Sequence, residues 1–250
     1  MAETYDEFGT GYGRVRREDP AIGARIRAAL GDVRSVVNIG AGTGSYEPAD
    51  LAVTAVEPSA KMIDQRPAGS APVIQAGAEV LPFEDDSFDA AMAVLTIHHW
   101  PDVQAGLDEM LRVTRRRIVI VAFEPDPLAE LWISAEYFPE MGDLKRGPGA
   151  DSREIASMLP SCETSAIPVS RHCSDLFFAA LWARPELFLE DEVVSPMWVW
   201  QTISAESREA GRRRLARDLE SGEWDRRYGH LRQLDQLDVG LRLLTLEKPV

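Results

Sequence analysis

The 250-residue chain has 27 basic and 41 acidic side chains, a net charge of −14 at pH 7, with 45% hydrophobic, 27% charged and 8% aromatic residues. That balance excludes nucleic-acid binding that depends on neutralising phosphates, and it disfavours docking to an anionic membrane surface. No run approaches the roughly 18–20 apolar residues of a membrane span. The opening residues Met1-Ala2-Glu3-Thr4-Tyr5-Asp6-Glu7 lack the basic and apolar regions of a signal peptide. A cytoplasmic, core-stabilised protein without membrane insertion or nucleic-acid partner is expected. Cys162 and Cys173 make neither a disulfide framework nor a metal knuckle, so no metal is expected.

In chain order, Asp19-Pro20 followed by Ile22, Ile26 and Leu30 predicts a capped helix with an apolar stripe, and Gly31 ends it. Short β-branched runs predict strands at 35–39, 53–56 and 72–75. The nearly all-apolar run from Ala90 to Ile97 suits a strand buried on both faces. Asp102 opens a helix that puts Val103, Leu107, Met110, Leu111 and Thr114 on one side, and Arg117–Phe123 follows as a fifth strand. This alternation implies a parallel sheet wound by right-handed crossovers. Further on, Cys162–Val169 and Val239–Leu246 read as strands, and Asp175–Leu189 and Glu206–Leu219 as helices. Lys145-Arg146-Gly147-Pro148-Gly149 reads as a loop.

Three glycines, Gly40, Gly42 and Gly44, follow the first strand directly in Asn38-Ile39-Gly40-Ala41-Gly42-Thr43-Gly44. Such a turn lets a nucleotide-like ligand approach the backbone. The pattern is G-x-G-x-G, and Ser45 stands where the dinucleotide fingerprint would have a small third residue. Glu57 ends the second strand, 13 residues after Gly44, where a carboxylate can accept both hydroxyls of a ribose.

The ordered set comprises this loop, Val56-Glu57-Pro58-Ser59 with Met62, Gly77-Ala78-Glu79-Val80-Leu81-Pro82-Phe83, Asp86-Ser87-Phe88-Asp89 and Leu95-Thr96-Ile97-His98-His99-Trp100. As a set it resembles the class I S-adenosylmethionine-dependent methyltransferases, and within them the ubiquinone/menaquinone-methyltransferase-like group, over residues 33–123. The resemblance implies an α/β fold: a Rossmann-like, mostly parallel sheet of about seven strands flanked by helices, with a helical insertion or lid in the C-terminal half. It implies one domain over 1–250. Within it, 18–125 would be the cofactor core, 126–160 and 174–235 helical substrate-side elements, and 236–250 a closing strand. S-adenosyl-L-methionine would be the cofactor. Gly40, Ala41, Gly42 and Gly44 would pass beneath its methionine part, with Asn38 alongside, and Glu57 would bind the ribose. Pro58 and Met62 would pack near the adenine, Gly77, Ala78 and Glu79 would border its edge, and Leu95 would lie beside the reactive methyl. Three departures are visible. Asn38 replaces a usual acid, Gly77 a common aspartate, and Thr114-Arg115-Arg116-Arg117 the usual proline-glycine-glycine turn, which suggests a changed loop there.

The implied reaction is transfer of the methyl group to a small, largely apolar organic acceptor by in-line displacement. Alignment of the two reactants carries most of such a reaction, and a general base is optional. His98 and His99 are the catalytic candidates, and on an extended segment only one of them would face the pocket. Tyr12 and Arg17, within an aromatic and basic N-terminal segment with Tyr5, Phe8, Arg14 and Arg16, are candidates for a lid at the substrate, together with Trp100. A pool of aromatics (Trp132, Tyr137, Phe138, Phe177, Phe178, Trp182, Trp198 and Trp200) suggests a mainly apolar substrate chamber, with most of the pool expected to be simple core. An NAD(P)-dependent oxidoreductase and a non-catalytic S-adenosylmethionine-binding protein are the alternatives. Nothing in the sequence bears on oligomeric state. Twelve acids against two bases between Tyr46 and Glu109 predict a negative field favouring a cationic donor.

Overall fold

The computed structural model describes residues 16–143, 149 and 151–248. Helix α1 (Pro20–Leu30) starts as its sequence dictates. The Asp19 carboxylate accepts from the Ala21 and Ile22 amides, Pro20 sits in the first turn, and Ile22, Ile26 and Leu30 are buried. Strand β1 (Ser35–Ile39) leads into the glycine loop, and β2 (Ala52–Val56) into the short helix α2 (Ala60–Asp64), capped by Ser59. Strands β3 (Val73–Ile74) and β4 (Phe88–Val94) come next. Helix α3 (Val103–Val113) is capped by Asp102 and buries Val103, Leu107, Met110 and Val113. Strand β5 is Thr114–Phe123.

The Thr114–Arg117 stretch is not a loop. Strand β5 begins at Thr114, directly after α3, and the register with β4 shifts between Phe88 and Ala90. The three arginines that displaced the turn find acids instead: Arg115 pairs with Asp89, Arg116 with Asp32 and Arg117 with Glu247.

The C-terminal half adds α4 (Pro125–Glu130), a π-helical turn at Ile133–Tyr137, α5 (Glu140–Asp143) and α6 (Ser152–Met158). Strands β6 (Glu163–Ala166) and β7 (Val169–Ser170) follow, then α7 (Asp191–Val194), α8 (Trp198–Thr202), α9 (Ala205–Glu220) and α10 (Glu223–Tyr228). The chain closes with β8 (Gln236–Leu237) and β9 (Leu241–Glu247). The expected helix over 175–189 is two short 3-10 turns, Phe178–Leu181 and Pro185–Leu189. Pro185 disfavours helix at the residue before it, and Arg184 accordingly sits at φ −129, ψ 63.

Seven strands form one sheet in the order β3-β2-β1-β4-β5-β9-β6, and β7 and β8 pair apart from it. Strands β1 to β5 are parallel, while β9 runs antiparallel between β5 and β6. The strand order reverses at β1, so a crevice opens at the C-terminal ends of its neighbours β2 and β4. One core packs α1 and the C-terminal aromatics on one face of the sheet, and a second packs α3 and α6 on the other. Among the described residues, no helix is long and apolar enough to cross a membrane.

Candidate active site

A cleft of about 280 Å³ lies at that crevice. The glycine loop forms its floor. Gly40 has φ +69, and a Cβ there would come within 2.0 Å of the Thr96 hydroxyl oxygen. Only glycine lets β1 and the β4 end approach so closely. The Gly40 and Ala41 amides donate to the Val56 carbonyl at 2.8 and 3.0 Å, which ties the loop to the end of β2.

Glu57, 7% exposed, is held from both sides. One carboxylate oxygen accepts the Gly42 amide at 2.8 Å and the other the Ser59 amide at 2.9 Å. Each oxygen has two lone pairs, so a clamped carboxylate can still accept from a diol. Beneath the loop, the Asn38 amide donates to Glu47 at 3.1 Å, and Glu47 pairs with Arg66 at 2.7 Å, both side chains more than nine-tenths buried. Arg66 also donates to the Gly42 carbonyl at 3.2 Å. The carboxylate missing at position 38 has a counterpart at 47, neutralised by a guanidinium.

The segment after β3 is fixed by α3. Glu109 accepts the Leu81 amide at 2.7 Å, and Arg112 donates to the Phe83 and Leu81 carbonyls at 2.8 and 3.1 Å. Those bonds hold Gly77, Ala78 and Glu79 against the cleft. At its other side, β4 ends in Leu95, at φ +53, followed by the 3-10 turn Ile97–His99. Such a left-handed residue at a cleft is stored strain of the kind found at ligand sites.

Of the residues singled out from sequence, Asn38, Gly40, Ala41, Gly42, Glu57, Pro58, Met62, Gly77, Ala78, Glu79, Leu95, His99 and Trp100 line this one cleft. Gly44 does not; a Cβ on it would face the Arg66 guanidinium at 3.1 Å. His98 and Arg17 also stand outside the lining, and Tyr12, with the rest of the N-terminal segment before Arg16, lies outside the described residues. The histidines are not on an extended segment pointing apart. The 3-10 turn brings their rings to 3.9 Å, and Trp198 of α8 packs on them at 6.0 Å from His98 and 5.5 Å from His99. Burial and the nearby Arg16 charge hold His98 down to about 4, and burial, His98 and Arg16 hold His99 well below its usual range. Both imidazoles are neutral at pH 7.

Thr96 and Tyr46 line the cleft without having been singled out from sequence, and of the arginines in the N-terminal segment it is Arg16, not Arg17, that lines it. Arg16 is fixed by a partner 159 residues away, for which no local pattern exists. The aromatic pool is mostly core. Trp132, Tyr137, Phe138, Phe177, Trp182 and Trp200 are all buried, Phe178 and Trp198 are half-buried, and none lines the cleft. Among the described residues, six of the twelve acids between Tyr46 and Glu109 are ion-paired, as Glu47–Arg66, Asp50–Arg27, Asp85–Arg112, Glu109–Arg112, Asp89–Arg115 and Asp86–Lys248. Glu57, Glu79 and Arg16 are the charged side chains that line the cleft. Among the described residues no group of three histidines, cysteines or acids could hold a metal.

A family profile described as a methyltransferase domain matches residues 37–121. A demethylmenaquinone methyltransferase of Clavibacter sepedonicus is 36% identical over 104 residues, covering 37% of this chain and 42% of that protein. The match thus spans less than half the length of the curated relative. Among solved structures, a protein of Anabaena variabilis assigned as a methyltransferase from an antibiotic biosynthesis pathway is 31% identical. The superposition covers 92% of this chain and 98% of that one, at a TM-score of 0.86. A phosphoethanolamine N-methyltransferase of Haemonchus contortus, solved with S-adenosylhomocysteine, shares the fold at 14% identity, covering 100% of this chain and 57% of that one, at a TM-score of 0.55. These likenesses set aside the nicotinamide-dependent oxidoreductases, and with the strand order and the cleft at its reversal they make the chain a member of the class I S-adenosylmethionine-dependent methyltransferases.

Proposed function

We propose that this protein moves the methyl group of S-adenosylmethionine to a small, largely apolar organic acceptor by in-line displacement. The observation that carries the reading is the clamped Glu57 carboxylate at the wall of a cleft floored by the glycine loop. When bound, the cofactor supplies an electrophilic methyl on a sulfonium. The chain's own residues do the rest. Glu57 accepts from the ribose diol, and Gly77, Ala78 and Glu79 border the adenine, with Pro58 and Met62 packed against it. The Gly40–Gly42 backbone and Asn38 support the methionine part. Gly40 holds the loop close against Thr96, since a side chain there would collide with it.

Leu95 and His99 mark the reacting end. A neutral His99 Nε2 or Nδ1 can take a proton from an acceptor hydroxyl or carbon acid as the acceptor's new bond to the methyl forms. His98 packs behind it and Trp198 covers the pair, which keeps water from that side. Leu95, Trp100 and Pro101 give this end an apolar wall that suits an apolar acceptor.

Calorimetric titration tests the reading. S-adenosylhomocysteine should bind, and NAD and NADP should not. Glu57→Ala should weaken that binding by about 1.5–3 kcal/mol, the range for a hydrogen bond to a charged group. Binding of a nicotinamide dinucleotide in place of S-adenosylhomocysteine would reverse the conclusion.

A further inference from the structure

Arg66 lies beneath the glycine loop, its side chain 4% exposed, against a Glu47 side chain that is 8% exposed. One Nη donates to the two Glu47 oxygens at 2.8 and 2.7 Å and to the Ala71 carbonyl at 3.2 Å, and the other donates to the Gly42 carbonyl at 3.2 Å. Its Nε is buried and has no partner among the described residues. A buried donor left unpaired costs stability, and a buried ion pair adds little over an apolar pair of the same volume. What such a pair does supply is orientation. The third loop glycine serves the same guanidinium. A Cβ on Gly44 would press to 3.1 Å from Nη1 and 3.2 Å from Cζ, which accounts for a glycine that belongs to the motif but not to the cleft lining.

What is oriented here is the backbone at Gly42. Its carbonyl accepts from Arg66, and its amide donates to the Glu57 carboxylate at 2.8 Å. Gly42 sits at φ +53, where a glycine backbone swings readily unless both sides are held. The second Glu57 oxygen accepts the Ser59 amide, Ser59 caps α2, and Arg66 follows α2 with its own amide donating to the Ile63 carbonyl at 3.0 Å. The contacts therefore close a ring from Glu57 through α2 to Arg66, on to Gly42 and back to Glu57. A shift of the guanidinium moves the amide that sets the carboxylate. Asn38 joins from the cleft side by donating to Glu47 at 3.1 Å. A neutral amide at position 38 leaves the guanidinium to Glu47 and the loop carbonyl.

We infer that Arg66 is a positioning residue of the cofactor site: acting through the Gly42 backbone, it sets the Glu57 carboxylate for the ribose diol, and Glu47 in turn sets Arg66. This rests on the ribose reading of Glu57 above and deepens it. Arg66 does not line the cleft, so it acts through Glu57 and not on the ligand.

The test uses two ligands on the full-length protein. S-adenosylhomocysteine carries the diol; its 2′,3′-dideoxy analogue keeps the adenine, the sulfur and the amino-acid end. The wild-type protein should prefer the diol about 10- to 100-fold, and Glu57→Ala should remove that preference. Arg66→Met should cut the preference about 10-fold while leaving affinity for the dideoxy analogue unchanged. Combined with Glu57→Ala, it should cost nothing further, because the arginine acts through the carboxylate. Arg66→Lys, which keeps the charge and a donor, should recover part of the preference, and Glu47→Gln should lose part of it. An Arg66→Met protein that loses both ligands equally, or that prefers the diol as the wild type does, overturns the inference and leaves the cofactor reading standing. Should Arg66→Met fail to fold, Arg66→Lys and Glu47→Gln decide by the same ratio, and a wild-type preference in both overturns it. A wild-type protein indifferent to the diol, or a Glu57→Ala protein that keeps the preference, brings down the ribose reading and the inference with it.

Discussion

The two halves of the chain are built by different means. From Pro20 to Phe123, regular strands and capped helices alternate, and the cleft is shaped mainly by backbone: a glycine turn, a left-handed Leu95, and amides clamped by Glu57 and Glu109. From Glu124 onward most elements are turns of four to seven residues, with α9 as the long exception. Side chains hold that half together. Trp132 packs edge-on against Tyr137, Phe188 and Trp224, and its indole donates to the Trp182 carbonyl at 2.7 Å, while Trp182 in turn donates to Val169. Around this cluster Glu136 collects Arg227 and the Tyr228 hydroxyl, and the Tyr137 hydroxyl donates to Asp218 at 2.7 Å. A half that positions backbone is exacting about glycines and caps, whereas a half packed by aromatics is exacting about volume.

The largest effect should come from attacking the aromatic half. Trp132→Ala removes the hub of the cluster, and truncating a buried Trp costs about 3–5 kcal/mol. Denaturant unfolding should show that loss, while the folded fraction keeps its affinity for S-adenosylhomocysteine. A parallel collapse of affinity would show that the halves do not divide the work in this way. The converse attack is Gly40→Ala. Its φ of +69 and the 2.0 Å approach of a Cβ to the Thr96 hydroxyl oxygen leave no relaxed solution. About 2–3 kcal/mol of stability should be lost, and S-adenosylhomocysteine binding should fall with it at a temperature where the variant is still folded. Retained binding would mean that the close approach of loop and β4 is not what shapes the cleft.

The same division decides what could be read from sequence. Strands β1, β2, β4 and β5 and helices α1 and α3 follow from local periodicity and caps, and the cleft residues between Asn38 and Trp100 sit beside those elements. Where position depends on distant partners, sequence had no signal. Arg16 is set by Asp175, β9 enters the sheet between β5 and β6, and which of the C-terminal aromatics are core is decided by how α4 to α10 fold onto them. The 175–189 stretch misled for a local reason, since its apolar spacing is helical but Pro185 interrupts it. Half of the acids between Tyr46 and Glu109 pair with bases that come mostly from outside that segment, which composition alone does not show.

The seam between the halves gives the smallest predicted effect. His98 and His99 belong to the N-terminal half, and Trp198, which covers them, to the C-terminal half. Both imidazoles have folded-state values below the unfolded one, His98 at about 4, so the unfolded chain binds more protons over the interval below about pH 6.5. Stability is therefore full above about pH 6.5 and falls as pH drops toward 4. Between pH 7 and 5.5 the loss should be about 1 kcal/mol per histidine, or ~2–4 °C in melting temperature for each. The paired carboxylates do not blur that window. Asp89, held at about 2 by its hydrogen bonds to Arg115 and the Arg34 amide, contributes stability that is lost only below about pH 4. Replacing both histidines with glutamine should flatten the profile between pH 7 and 5.5. Trp198→Ala should flatten it in part, by letting water reach the rings. A slope that survives the double replacement would place the titrating groups elsewhere and separate the seam from the stability of the fold.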